Sequence, residues 1–253
     1  MKAIILCAGY GTRLYPLTKN KPKALLPVGD KTILDLLIDN INEIDEIDEI
    51  VLVSNDRFYK QFCEHIKSFV CPKKITVLND GTTDNATRLG AIGDFKFALD
   101  AIDYSGETMV LAGDNWFNFR LKNLVDFYKS NNRANIVFGE DKFDLDTLRS
   151  GGVAVLDKDG KVLEMQEKPF IPNSTFAVGP FYIYNEKAVA SIDKYLTSGG
   201  NPDAPGHYPA WLVKNGHEIR AYDIGKAGYQ YIDIGTPLIY QELNDKLNNT
   251  LKK

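Results

Sequence analysis

An α/β fold built on a mostly parallel sheet, with helices on both faces, is predicted by three observations on this 253-residue chain. Short continuous apolar runs alternate with segments of helical apolar period up to about residue 130, the pattern of strands buried on both faces. Beyond about residue 134 the runs crowd together and tight-turn signals separate them, which adds antiparallel strands. The length suits one α/β domain with a sizeable buried core.

The elements follow in order. Ile4-Ile5-Leu6, inside the apolar stretch 3–8, is the first strand. A helix over 32–44, a strand over 50–53, a helix over 58–69, a strand over 75–78 and a helix over 88–102 follow. Met109-Val110-Leu111 is the fourth strand, and 121–129 the next helix. The later strands are 135–139, 152–156, 162–166 and 176–184, with Asp159-Gly160 as a hairpin turn between two of them. Helices are expected over 186–196, 208–215 and 237–247, the last opened by Thr236 as cap and Pro237 in its first turn. The spacing Ile41, Ile44, Ile47, Ile50 reads as a helix edge running through a turn into a strand.

Composition excludes several classes. With 44% hydrophobic and 25% charged residues the chain is neither disordered nor of low complexity. A net charge of −4 leaves no broad electrostatic footprint for nucleic acid, yet permits phosphate binding at one local basic site. Cys7, Cys63 and Cys71 are odd in number and form no CxxC pair, so neither a disulfide framework nor a zinc site is expected. The opening apolar run is too short for a signal segment, and no run approaches the roughly 18 residues that span a bilayer. The expectation is a soluble, cytoplasmic protein without a membrane partner.

One loop carries most of the chemistry. Gly9-Tyr10-Gly11-Thr12-Arg13 follows the first strand, and Pro22-Lys23-Ala24-Leu25-Leu26-Pro27 lies a little further on. Glycines after the first strand of such a sheet let backbone N–H groups approach a phosphate closely. Position 14 is Leu, so the third glycine of the dinucleotide fingerprint is missing, and the GxxxxGK[ST] loop is absent as well. What remains is two glycines, a hydroxyl and two cations: Arg13, suited to bidentate phosphate contact, and Lys23, a point charge.

This segment, 9–28, resembles the N-terminal signature of the nucleotidylyltransferases that act on sugar 1-phosphates and phosphocholine. Further motifs recur in that family's order: Gly113-Asp114-Asn115, Gln166-Glu167-Lys168-Pro169, Phe176-Ala177-Val178-Gly179 and Asp233-Ile234-Gly235-Thr236-Pro237. The resemblance covers nearly the whole chain. It implies a single Rossmann-like domain of GT-A type, with a nucleotide-binding half over about 1–130 and an acceptor-binding half over about 131–253.

It also implies a reaction in which the phosphate of an acceptor attacks the α-phosphorus of a nucleoside triphosphate and pyrophosphate leaves. Such chemistry needs alignment and charge cancellation rather than a protein nucleophile. Accordingly His65, His207 and His217 are read as structural or surface residues. By the same resemblance Asp114 and Asp233 hold Mg²⁺; a turn role and a helix-cap role are their alternatives. Arg13 and Lys23 are the catalytic cations. Leu6, Ala8, Gly9, Gly11, Thr12, Asn79 and Asn85 join them around the nucleotide. Gly152, Glu167, Lys168 and Gly179 fall on the acceptor side, with Lys168 on its phosphate.

The segment 79–91 departs from the hexose-phosphate members and looks closer to the phosphocholine cytidylyltransferase branch. Its Asp84 and Arg88 suit an acceptor with charges of its own. The expectation is therefore CTP as donor and L-glutamine phosphate as acceptor, as in capsule phosphoramidate biosynthesis, with Arg88 on the carboxylate and Asp84 on the amine. A surface helix start is the alternative for Arg88. Thymidylyl or uridylyl transfer to a sugar 1-phosphate is the first alternative function, and a non-catalytic nucleotide-binding regulator the second. A glycosyltransferase would show an Asp-x-Asp element where Gly113-Asp114-Asn115-Trp116 stands. Whether the protein forms a homo-oligomer is left open by the sequence.

Overall fold

The structure, a computed structural model, describes residues 1–251, with side chains to residue 247. Its first strand, β1 (Lys2–Leu6), leads through the glycine loop and two short turns of 3₁₀ helix to a two-residue ribbon, β2 (Pro27–Val28) and β3 (Lys31–Thr32). Then come α1 (Ile33–Asn42), β4 (Glu49–Ser54), α2 (Asp56–Ser68), β5 (Lys74–Asn79), α3 (Ala91–Ala101) and β6 (Thr108–Ala112). A short β7 (Asn115–Phe117) precedes α4 (Lys122–Ser130) and β8 (Asn135–Asp141). The remainder is α5 (Leu145–Ser150), β9 (Gly152–Leu156), β10 (Val162–Glu167), β11 (Phe176–Tyr184), α6 (Glu186–Ala190), α7 (Ile192–Thr197), α8 (His207–Lys214), β12 (Ile219–Asp223), β13 (Tyr231–Asp233) and α9 (Pro237–Leu251).

The main sheet runs β10-β9-β11-β6-β1-β4-β5, with β8 on β11 and β12 on β8. β6, β1, β4 and β5 are mutually parallel, whereas β11 is antiparallel to β6, β8 and β9. The predicted mixed, mostly parallel sheet is thus the one formed. Alternation along β1 sends Ala3 and Ile5 to a core shared with α1, α2 and α4, and Ile4 to the opposite core under α3 and α6–α8. Ile41, Ile44, Ile47 and Ile50 are each at most 1% exposed in the first of these cores, so their spacing is packing.

Local signals explain most boundaries. Thr32 accepts from the Asp35 N–H while the Asp35 carboxylate accepts from the Thr32 N–H, a reciprocal cap that starts α1. Asn55 caps α2 through the Phe58 N–H. The expected helix over 88–102 begins later, at Ala91, because Gly90 takes a left-handed φ of 83° and a side chain there would strike the Pro202 carbonyl. The helix expected over 186–196 is two helices that meet at Ser191. No helix among the described residues is long and apolar enough to cross a membrane.

Candidate active site

A cavity of about 440 Å³ opens at the carboxyl ends of β1 and β6, where sheets of this kind present ligands. Its floor is the glycine loop, which buried groups hold from beneath. The Asn55 amide donates to the Ala8 carbonyl at 2.8 Å, and the Cys7 N–H to the Val53 carbonyl at 2.8 Å. Gly11, at φ 59°, has its carbonyl taken by the Thr18 hydroxyl at 2.7 Å. A Cβ on Gly9 would meet nothing within 4 Å, so the backbone there faces open cavity.

Lys23, only 8% exposed, leaves the second 3₁₀ turn and places its ammonium between two acids. Nζ lies 2.8 Å from Asp114 Oδ2 and 3.4 Å from Asp233 Oδ1, residues separated from it by 91 and 210 positions. A small antiparallel ribbon makes the convergence. β7 and β13 pair with Asp233 opposite Asn115, the neighbour of Asp114. The Asn115 amide donates to Asp114 Oδ1 at 2.8 Å and its oxygen accepts from the Tyr231 hydroxyl at 2.7 Å. Gly113 must be glycine, since a Cβ would overlap Cys7 Sγ. Arg13 approaches the same place: a Cβ on Gly235 would lie 3.5 Å from Asp233 Oδ2 and 3.8 Å from Arg13 Nη1.

The opposite wall comes from β9, β10, β11 and the segment before α8. Glu167 ends β10, and burial pushes its carboxyl up to about 7 despite the neighbouring Lys168 ammonium. Lys168 itself takes a left-handed φ of 48°, which redirects the chain where the strand stops. Gly206 leaves room for Glu167, and Gly179, at the irregularity of β11, leaves room for the Phe138 ring. Arg88 Nε reaches Asp203 at 2.9 Å, and its proximity holds the Asp203 carboxyl below the usual range.

Leu6, Ala8, Gly9, Gly11, Arg13, Lys23, Asp114 and Asp233 therefore surround one space together with Arg88, Gly152, Glu167, Lys168 and Gly179. Four expected site residues lie outside it. Thr12 is exposed in the first 3₁₀ turn and does not line the cavity. The Asn79 amide donates to Asp56 at 2.7 Å and its oxygen accepts from the Gly81 N–H, so its side chain is spent on the turn after β5. Asp84 accepts from the Ala86 and Thr87 N–H groups, and the Asn85 carbonyl from Arg88. These last two form the corner of a polar loop and do not line the cavity. Sequence reasoning also passed over Asp94, Asp203 and Cys7, all of which border the cavity. For Asp94 a signal existed: an acid on the helical face otherwise made by Ile92, Phe95, Ala98 and Leu99.

Two carboxylates and a lysine ammonium thus meet beside an open, glycine-floored cavity lined by both cations and acids. The chain belongs to the nucleotidyl transferase family, whose model matches residues 2–250. It is 32% identical to the bifunctional protein GlmU of Methanocaldococcus jannaschii over 262 residues, covering all of this chain and 56% of that protein. It is 28% identical to the UTP–glucose-1-phosphate uridylyltransferase AglF of Haloferax volcanii, covering 98% of this chain and 96% of the other. The chain spans about half the length of the GlmU relatives it matches. Among solved structures, a UDP-glucose pyrophosphorylase complexed with UDP-glucose superposes with a TM-score of 0.79 at 18% identity, covering 98% of both chains, which establishes the shared fold.

Proposed function

We propose that the cavity binds a nucleoside triphosphate over the glycine loop and transfers its nucleoside monophosphate to the phosphate of a small acceptor. The observation that carries this reading is the meeting of Lys23, Asp114 and Asp233 from three distant parts of the chain. The Lys23 ammonium already lies between the two carboxylates, whose oxygens are ligands of the kind that suits Mg²⁺ beside a triphosphate. Asp114 and Asp233 would hold that ion, which supplies charge neutralisation to the triphosphate. Lys23 and Arg13 then oppose the charge that gathers on the α-phosphate and the departing pyrophosphate. An acceptor phosphate oxygen forms the new bond to the α-phosphorus, and the bond from that phosphorus to the bridging oxygen breaks. The acceptor is already an oxyanion near neutral pH, since a phosphate monoester's second pKa is about 6. No protein base is needed. In this division residues 1–130 carry the nucleotide, and 131–253, of which 252 and 253 lie outside the described span, carry the acceptor in the same domain.

For the acceptor we propose a sugar 1-phosphate, with UTP or dTTP as the first donors to test. One feature supports it: Glu167 lines the cavity with its carboxyl raised by burial to about 7, so a protonated fraction persists near neutral pH and can donate to a hydroxyl. CTP with L-glutamine phosphate is the second reading; Arg88 favours it, because it borders the cavity where an acceptor carboxylate could exchange with Asp203. A non-catalytic regulator has no use for the acid pair. Pyrophosphate release is measured with four Mg·NTPs against glucose 1-phosphate, mannose 1-phosphate, N-acetylglucosamine 1-phosphate and L-glutamine phosphate. Turnover with a hexose phosphate supports the first reading, turnover with glutamine phosphate alone the second, and binding without turnover on any acceptor the regulator.

A further inference from the structure

Asn55 is a fully buried side chain that serves two elements at once. It follows β4 and opens α2, where its Oδ1 accepts from the Phe58 N–H at 3.1 Å. Its backbone carbonyl accepts from the Tyr59 N–H at 3.1 Å and from the Ser54 hydroxyl at 3.0 Å. The cap decides which end of the amide is oxygen, and so directs the NH₂ group away from α2. That group donates to the Ala8 carbonyl at 2.8 Å, 47 positions away. Capping alone does not require asparagine, since serine or aspartate would serve as well.

The Ala8 carbonyl shares its peptide group with the Gly9 N–H. That peptide is trans, and in a planar trans unit the C=O and N–H point in opposite directions. With the carbonyl drawn down to a buried residue, the N–H is turned up, on the side where Gly9 is exposed and borders the cavity. Among the described residues no acceptor takes this N–H. A backbone donor without a protein partner calls for water or a ligand. The next residues are held separately: the Tyr10 hydroxyl donates to Thr82 Oγ1 at 3.2 Å, and the Gly11 carbonyl accepts from the Thr18 hydroxyl at 2.7 Å. Of these three supports, only Asn55 acts on the peptide of Gly9.

We infer that Asn55 is a positioning residue: by holding the Ala8 carbonyl below the loop it aims the Gly9 N–H into the cavity, at an oxygen of the nucleoside triphosphate. The inference rests on the nucleotide reading of the cavity. Gly9 has no side chain to resist a turn of this peptide, so the bond from Asn55 sets its orientation. Turned over, the peptide would present a carbonyl to the phosphates and repel them.

The test is the affinity of Mg·UTP, Mg·CTP, Mg·ATP and Mg·dTTP by calorimetry, in wild type and Asn55→Ser. The serine hydroxyl caps α2 but is too short to reach the Ala8 carbonyl. Every nucleotide that wild type binds is expected to bind Asn55→Ser about fivefold to tenfold more weakly, the worth of one hydrogen bond. The acceptor's KM and kcat at saturating nucleotide are expected to stay within about twofold. Unchanged affinity in a folded Asn55→Ser overturns the inference and leaves the nucleotide reading standing. An equal loss in nucleotide affinity, acceptor KM and kcat also overturns it, because a general loosening of the fold moves all three. Failure of all four nucleotides to bind wild type overturns the nucleotide reading and the inference with it. Should Asn55→Ser not fold, Asn55→Asp at pH 8 carries the same comparison, since its carboxylate caps α2 and has no N–H for Ala8.

Discussion

The two walls of the cavity are made of different material. The glycine-loop wall is mainly backbone, held by the buried Asn55 amide, the Thr18 hydroxyl and the Thr82 hydroxyl, which accepts from Tyr10. The facing wall is made of ionisable side chains at strand and loop ends: Glu167, Lys168, Arg88 and Asp203. Backbone recognition suits a feature common to every nucleoside triphosphate, its phosphate chain. Side-chain recognition suits the partner that varies between relatives. Substitutions on the first wall should therefore affect every donor alike, whereas those on the second should discriminate between acceptors.

Lys23→Ala is the largest expected effect. Removing the ammonium from between the acids should lower kcat by about 10²–10³ for every donor and acceptor pair while circular dichroism stays unchanged. Wild-type turnover would place Lys23 among structural cations. Lys168→Ala comes next, raising the acceptor's KM about tenfold or more and leaving the nucleotide's nearly constant. The reverse pattern would move Lys168 to the triphosphate and erase the distinction between the walls.

Glu167→Gln sharpens the comparison through pH. The folded carboxyl titrates at about 7, above its usual 4.5. Its contribution to stability is fully present below about 4.5, declines as pH climbs to about 7, and is constant beyond. Relative to wild type, the Tm of Glu167→Gln should accordingly rise between pH 4.5 and 7 and then level off; a constant difference across that window would mean the carboxyl ionises normally. Arg88→Ala is the smallest, a few-fold change for a hexose phosphate, because the exposed Arg88–Asp203 pair contributes little by itself. A far larger loss confined to L-glutamine phosphate would shift the acceptor assignment.

The sequence made the frame legible because buried parallel strands are continuous apolar runs, and β1, β4, β5 and β6 lie within a residue or two of where the runs place them. It concealed the pieces that assemble the site. β7 and β13 are three residues each, too short to show a period, yet their pairing brings Asp114 beside Asp233. β12 went unread because it is a five-residue strand whose partner, β8, lies about 80 positions away, and α5 because it is six residues long, although Asp144 offers a visible cap through the Thr147 N–H. Asn79 and Asp84 looked available because a polar loop shows its side chains but not its own hydrogen bonds. In the structure those bonds engage both ends of the Asn79 amide and one oxygen of the Asp84 carboxylate.

A crystal structure with Mn²⁺ and a non-hydrolysable triphosphate analogue, read through the anomalous signal of the ion, decides whether one metal–triphosphate site forms where Lys23, Asp114 and Asp233 meet. A single strong peak held by both carboxylates is expected, with the phosphates lying along Gly9 to Arg13. A triphosphate bound there with the ion on other residues, or a triphosphate bound elsewhere, would contradict it.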